Sequence, residues 1–559
     1  MIKRIGALLS LYLIPVLVTH VIAADKQPPV LPGGEKAVVR VHYSDQRTGN
    51  NALKSFGAQL LETNYGKGYH VMRVKQEDID KLTAAGLRVE LAPDWEEPAI
   101  EPSRKDETEE DTIPSYPCYR TVEGTFAAAE QIVANYSSIA SWKDVGDSWV
   151  KSNSSDPEGK AGYDMKVLVL TNSKTTGEKP DLFLTAALHA REYATAELVT
   201  RFAEYLVGNY GTDPDVTWIL DNHEIHMMLH GNPDGRKLAE DHVLWRKNTD
   251  EDYCLSDYDS RGADLNRNFS YEWNCCDGSS DEPCDQTYHG EEAASEPEIT
   301  AIQNYMNSIF SDQRNKDKSN PAPNDSSGIY IDVHSYGKLV MWPWGSTHDT
   351  APDHVQLQTL GRKFAYWNGY SPEQAIGLYP TDGTSDDHAY GELGVAAYCF
   401  ELGTSFFQSC KTFESRVYPD NLESLLYAAK VVRTPYVTPS GPDAVGVMVD
   451  IGEVTAGTFV TLSATIDDTR YARIKGNEEQ EPYQNIDGAE YYIDTPPWNE
   501  GFAESMDAAD GLFDTASEFV HAQVDTTELT TGTHLLYVRG KDADGNWGPF
   551  SAAFLKITE

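Results

Sequence analysis

His189 and Glu192 stand three residues apart in the stretch His189-Ala190-Arg191-Glu192. At that spacing two side chains on a helical turn point the same way. An imidazole nitrogen and a carboxylate oxygen supply two thirds of the protein ligands of a catalytic zinc, which keeps its fourth position open for water. A further imidazole, His334, ends the apolar run Ile329-Tyr330-Ile331-Asp332-Val333, and a further carboxylate, Glu401, ends Ala396-Ala397-Tyr398-Cys399-Phe400. Two His and two Glu suffice for metal-assisted hydrolysis: three groups hold the metal, which acidifies a water and polarises a carbonyl, and the free carboxylate moves the proton. Taken alone, H-x-x-E fits a surface His and a helix-start Glu equally well.

These four residues need elements that bring them together. The run Leu182 to Leu188 leads directly into His189, and an amphipathic helical pattern with Leu198, Val199, Phe202, Tyr205 and Leu206 follows. Met165 to Leu170, Ile225 to Leu229, Ile329 to Val333 and Val395 to Phe400 are further strand-length apolar runs. Continuous rather than alternating apolar runs are expected of strands covered on both faces. In open α/β sheets functional groups collect at the carboxyl ends of such strands. Residues 115–435 are therefore expected to form one α/β domain.

The flanks read differently. Lys3 and Arg4 precede an uncharged apolar stretch, Ile5 to Ile22, and then Ala23-Ala24. This is the pattern of a secretory signal peptide over 1–24, so a secreted chain, extracellular or periplasmic, is expected. No other apolar run is long enough to span a bilayer. From about 36 to 93 the order reads β-α-β-α-β, with strands at Ala37–His42, Gly68–Val74 and Leu87–Leu91 and helices at Ala52–Leu61 and Gln76–Ala85. That implies a small α+β unit. The segment Asp94–Pro114, rich in Glu, Asp, Pro and Thr, is a linker carrying Arg104-Lys105 as a protease target. A second linker, Pro435–Pro442, leads into 436–559, whose short β runs imply an all-β sandwich. There Asp542-Ala543-Asp544-Gly545-Asn546 places oxygen donors at alternate positions, a spacing open to Ca2+ and to a plain hairpin turn alike.

Acidic residues outnumber basic ones 88 to 45 in the 559 residues, a net charge of −43. Such a field repels nucleic acid and anionic membrane and favours solubility and cationic partners, and adaptation to salt or simple solubility accounts for it as well as substrate steering does. Seven cysteines, four of them between Cys254 and Cys284, are compatible with export and disulfides; the odd count leaves at least one without an intrachain partner.

Residues from about 115 to 435 resemble the zinc metallocarboxypeptidases of the carboxypeptidase A/B type. The resemblance implies a central, mixed but mostly parallel sheet with helices on both faces, and hydrolysis of the last peptide bond of substrates with a free C-terminus. His189, Glu192 and His334 fall on that family's zinc ligands and Glu401 on its catalytic glutamate. Trp245-Arg246-Lys247 resembles the segment whose Arg stabilises the oxyanion. Asp264-Leu265-Asn266-Arg267-Asn268 resembles the segment whose Asn-Arg pair grips the terminal carboxylate, a task suited to a bidentate guanidinium. Arg191 and Tyr336, within family-like segments, are implied to bind substrate, and Tyr379, 22 residues before Glu401, falls on the mobile tyrosine. Asp386, 15 residues before Glu401, falls on the pocket for the C-terminal side chain, which implies a preference for Lys or Arg with apolar residues still open. Gly345 lacks the acidic side chain of the regulatory branch. Cys254 and Cys284, flanking Asn266-Arg267, are implied to pair, and residues 25–114 occupy the place of a propeptide. Two other readings make different demands. An enzyme trimming cell-wall peptides would alter the carboxylate grip or the pocket loop, and a non-catalytic module would lack a ligand or the base.

Overall fold

The apolar runs become strands and the helical patterns cover them. The structure is a computed structural model that describes residues 28–32, 36–43, 60–64, 67–93, 111–153, 161–257, 260–314, 319–472 and 482–559. The expected signal segment and most of the acidic linker lie outside the described residues.

The N-terminal unit pairs β1 (Ala37–His42), β2 (Leu60–Asn64), β3 (Tyr69–Val74) and β4 (Arg88–Leu91) in the antiparallel order β2-β3-β1-β4. The helix Gln76–Ala84 packs Ile79 and Leu82 against Val39, Val41 and Met72. The helix expected over Ala52–Leu61 is not found where it can be judged. Leu60 and Leu61 open β2: Leu60 pairs with Met72, the register then shifts, and Glu62 pairs with Val71, while residues 51–59 lie outside the described set. At these last two positions cross-strand pairing, rather than the helical pattern, sets the backbone.

A short hairpin of β5 (Thr112–Ile113) and β6 (Tyr116–Arg120) begins the central domain, since Ile113 is buried in the main hydrophobic cluster. The central sheet contains β7 (Ala140–Asp147), β8 (Asp164–Leu170), β9 (Asp181–Ala186), β10 (Glu224–Met228), β11 (Ile329–Ser335), β12 (Leu339–Trp342), β13 (Ser371–Gln374) and β14 (Ala396–Leu402). Their order is β13-β12-β14-β11-β9-β10-β8-β7. The central four, β14, β11, β9 and β10, run parallel, and β12, β8 and β7 join antiparallel. Every residue of β11 is buried, so helices cover both faces of the sheet at its centre. The sheet is mixed and mostly parallel, as expected.

Register decides where the chemistry collects. Ala186 of β9 pairs with Val333 of β11, which pairs with Phe400 of β14; one step further His334 pairs with Glu401. The carboxyl ends of three neighbouring strands are thus level. His189 follows β9 directly, and Glu192 is the residue that caps the helix Tyr193–Asn209.

The C-terminal unit, β15 (Asp443–Val449) to β22 (Ser551–Thr558), is all-β. Its eight strands form one curled sheet, continuous through a short strand, Glu504–Ala508, that pairs on both sides. Val460, Leu462, Val520, Leu536, Val538 and Leu555 fill the space between its halves. The unit docks on the central domain: Tyr492, Tyr537, Phe550 and Ala552 join the main core cluster, and Lys363 Nζ meets Asp443 Oδ1 at 3.0 Å with both buried. At the Asp542 turn both carboxylate oxygens accept from Asn546, the bonding of a hairpin turn. Three disulfides form, Cys118–Cys410, Cys254–Cys284 and Cys275–Cys276, and Cys399 stays a free, buried thiol.

Candidate active site

His189, Glu192 and His334 meet at the strand ends. His189 Nδ1 lies 2.9 Å from Glu192 Oε1, His334 Nδ1 lies 3.1 Å from Glu192 Oε2, and the two Nδ1 atoms are 3.0 Å apart. All three side chains are buried. The opposite ring edges fix the tautomers. His189 Nε2 is 3.0 Å from Asp264 Oδ1 and His334 Nε2 is 2.9 Å from Asp332 Oδ2. Each carboxylate accepts a hydrogen bond from Nε2–H, so the neutral ring keeps its lone pair on Nδ1, the arrangement metal-binding histidines use. Arg246 Nη1 donates to His189 Nδ1 at 3.2 Å, which requires the same tautomer.

Three electron-rich atoms facing one point in a dry interior are costly unless a cation lies between them. Ligands about 2.0–2.1 Å from a tetrahedral zinc stand about 3.3 Å apart, so this cluster is closed to within a few tenths of an ångström of a zinc shell. The residues present therefore fit zinc. The electrostatics agree. Burial favours the neutral form of Glu192, but His189 and His334 hold its carboxyl well below the usual range. Burial pulls His334 down, yet Asp332 and Glu192 push it well above the ordinary imidazole value. Burial, and after it the charge of Arg246, holds His189 below that value and favours its neutral form.

Glu401, the register neighbour of His334, is half-buried, and its Oε2 is buried with no hydrogen-bond partner among the described residues. Burial, and after it the charge of Glu192, pushes its pKa up to about 8, so this carboxyl readily holds a proton. Arg246 is anchored by Asp264 Oδ2, at 3.0 Å from Nε and 2.7 Å from Nη2. Asp264 thus orients one histidine and one arginine at once.

All eleven residues singled out from the sequence line one cavity of about 490 Å3. Arg267 donates from Nε to Gly278 O (3.1 Å) and from Nη1 to Asn266 O (2.6 Å), and its guanidinium is 5.9 Å from the Tyr379 ring. Asn266 Oδ1 accepts from Ser385 N at 2.9 Å, which places its Nδ2 3.1 Å from His334 Nε2. Arg191 is buried over the Phe406 ring at 4.1 Å, and Tyr336 meets the same ring edge-on at 4.8 Å. Tyr336 also packs against the core of the N-terminal unit, which brings that unit to the rim of the cavity. Tyr379 is half-buried against an apolar wall of Met341, Ala375, Leu378 and Cys399.

Asp386 lies in the wall with one oxygen, Oδ2, buried and without a partner among the described residues. Burial raises its pKa. Asp387 is raised further, by burial and by Asp386, and both its oxygens accept from Gly345 N at 3.0 and 3.1 Å. Asp264, Asp332 and Phe406 were not singled out from the sequence as site residues. Asp332 had a signal there, because it is two residues before His334 and so on the same face of its strand. Asp264 and Phe406 had none beyond proximity to their segments.

Such equipment serves a metal-dependent hydrolase. The sequence pattern of the zinc carboxypeptidase family matches residues 127–421. A zinc carboxypeptidase of Saccharothrix mutabilis subsp. capreolus is 28% identical over 401 residues, 69% of this chain and 86% of that protein. Carboxypeptidase B of Astacus astacus is 31% identical over 330 residues, 57% of this chain and 98% of that one. Among solved structures, thrombin activatable fibrinolysis inhibitor superposes with a TM-score of 0.55 at 20% identity, over 71% of this chain and 98% of its own. That likeness is one of fold. The chain belongs to the zinc carboxypeptidase family and is a zinc metallocarboxypeptidase, a hydrolase acting on peptides or proteins. Among the described residues no helix is long and apolar enough to cross a membrane.

Proposed function

We propose that this enzyme is secreted and removes C-terminal residues with a preference for Lys and Arg, while accepting apolar side chains. The observation that carries the preference is Asp386: a buried carboxylate with a bare oxygen in the wall of the substrate cavity. A buried acid without a partner is unfavourable, and an entering ammonium or guanidinium supplies the missing charge and hydrogen bonds. Met341, Leu378 and Cys399 in the same cavity supply an apolar surface for other side chains.

In this reading His189, Glu192 and His334 hold the zinc. When bound, zinc acidifies a water and polarises the scissile carbonyl. Glu401 accepts a proton at Oε2 and returns it to the leaving amine, a task matched to its raised pKa. Arg246, fixed by Asp264 through Nε and Nη2, holds its positive charge beside the metal-binding cluster, where negative charge develops on the carbonyl oxygen. Arg267 and Asn266 hold the terminal carboxylate, which makes the enzyme an exopeptidase. Arg191 and Tyr336 flank the upstream chain, and Tyr379 closes over the bound residue.

The net charge of −43 draws basic peptides toward the protein. The contact of Tyr336 with the N-terminal unit supports 25–114 as a pro-region whose removal opens the cleft, with 115–435 catalytic and 436–559 accessory. Peptides alike except for a last residue of Lys, Arg, Leu or Phe test the preference, with the Lys peptide amide as control. Lys and Arg peptides are expected to lead and the amide to resist. Equal hydrolysis of peptide and amide would remove the exopeptidase assignment, and a lead for Phe and Leu would remove the basic preference.

A further inference from the structure

The adjacent residues Cys275 and Cys276 are joined to each other. They take no part in the chemistry above, yet their loop touches it on two sides. Cys276 N and Gly278 N both donate to Asp382 Oδ2, at 3.2 and 2.9 Å. Gly278 turns its carbonyl the other way, to accept from Arg267 Nε at 3.1 Å. Asp382 is 0% exposed and lies three residues beyond Tyr379 in the loop that carries that ring.

The two loops touch backbone to backbone. A Cβ on Gly278 would lie 2.3 Å from the carbonyl carbon of Thr381 and 2.5 Å from Asp382 N, so only glycine allows the approach. The turn is also tightly wound: Glu272, Asn274 and Asp277 have φ of 54°, 49° and 57°. Left-handed backbone is disfavoured at Glu272 and better tolerated at Asn274 and Asp277, whose short polar side chains can bond locally. The bond between Cys275 and Cys276 and the carboxylate of Asp382 restrain this turn, together with the bond from Asn274 Nδ2 to Asp281 Oδ1 at 3.2 Å.

We infer that Asp382 and the Cys275–Cys276 loop form a brace that positions Arg267 for the substrate carboxylate; this rests on the proposed role of Arg267. Nε and Nη1 of Arg267 are held by two backbone carbonyls, and that hold sets the direction of the remaining Nη2. One of those carbonyls belongs to Gly278, whose own N–H is pinned by Asp382. A bidentate grip loses strength when the guanidinium is misplaced by even an ångström. Opening the sulfur ring loosens the same brace. A water-soluble phosphine does this by taking the oxygen of one water to become its oxide, while the two sulfurs take the two hydrogens as thiols.

The test measures KM and kcat separately on a Lys-terminated peptide, with bound zinc and the thermal melt recorded for each variant. Asp382→Ala is expected to raise KM about tenfold and to change kcat by less than about threefold, the signature of lost substrate binding. Asp382→Asn keeps an acceptor oxygen and is expected to restore most of the loss. Cys275→Ser/Cys276→Ser raises KM in the same direction. Phosphine raises the KM of the unaltered enzyme and adds nothing in that double variant. Arg267→Lys raises KM alone, and adding Asp382→Ala to it has little further effect, because the two act through one contact.

If Arg267→Lys raises KM while zinc-loaded, folded Asp382→Ala leaves it unchanged, the brace is refuted and the role of Arg267 stands. If Arg267→Lys leaves KM unmoved, the role of Arg267 fails and the brace falls with it. A phosphine effect that survives in the double variant comes from another disulfide and overturns the part given to Cys275–Cys276. Should Asp382→Ala not fold, Asp382→Asn and the phosphine titration of the unaltered enzyme decide.

Discussion

Replacing Asp386 by Asn removes one charge from the cavity wall and almost no volume. In the folded enzyme the carboxylate is buried and one oxygen lacks a partner. A Lys side chain entering the cavity gives up its water and recovers the loss through that oxygen. With Asn in place the ammonium is left desolvated and uncompensated, and breaking one partner of a buried pair costs about 3–5 kcal/mol. Taking the lower part of that range, because the cavity is open to solvent, kcat/KM for Lys peptides should fall about 10²–10³-fold. Leu peptides do not use the charge and should change by less than about tenfold. The ratio of kcat/KM for Lys over Leu is thus the readout. The same substitution separates function from folding. Asp386 raises the pKa of Asp387, so its neutralisation relieves a like-charge repulsion and should leave Asp386→Asn at least as stable as the parent. The preference should also depend on pH. Because the pKa of Asp386 is raised, its carboxylate is neutralised early as pH falls, and the advantage of Lys over Leu should fade on the acid side. A Lys/Leu ratio unmoved by Asp386→Asn, in a folded and zinc-loaded enzyme, would refute the pocket assignment.

Glu401→Gln should keep bound zinc, because it contributes no atom to the donor cluster, and lower kcat about 10²–10⁴-fold; metal content and turnover on one sample check both. Chelation should abolish hydrolysis and added zinc restore it, and activity persisting in metal-free protein would count against the donor set. The full-length chain should hydrolyse peptides more slowly than one cleaved in the segment 94–114, measured before and after limited proteolysis. Glu298 supplies a stability test away from the cavity. It is buried near Asp234 and Glu296, and burial first, then those charges, pushes its pKa up to about 8. Its unfolded value is lower, so the unfolded chain releases this proton first as pH rises. Stability should therefore be highest below the unfolded pKa and fall, by a few kcal/mol, as pH climbs through about 8. Glu298→Gln should flatten that decline in denaturant titrations, and an unchanged slope would assign it to other groups.

The sequence by itself carried the chemistry of this protein and most of the elements beneath it. The runs at Leu182, Ile329 and Ala396 form buried strands because a continuous apolar segment has nowhere else to go, and His189, His334 and Glu401 follow from their ends. It also carried the residue types for gripping a carboxylate and a basic side chain. It could not show register, and register is what levels Ala186, Val333 and Phe400 so that two imidazoles and two carboxylates converge. Nor could it show the tautomers, which Asp264 and Asp332 impose from different parts of the chain. The strand pairing of Leu60, at the end of the helix expected over Ala52–Leu61, and the pairing of Cys275 with its neighbour have the same origin. Local pattern reports what a segment can do, whereas its partners across the sheet or across a loop decide what it does. Those partners are close in space and far apart in sequence, and only the folded chain brings them into contact.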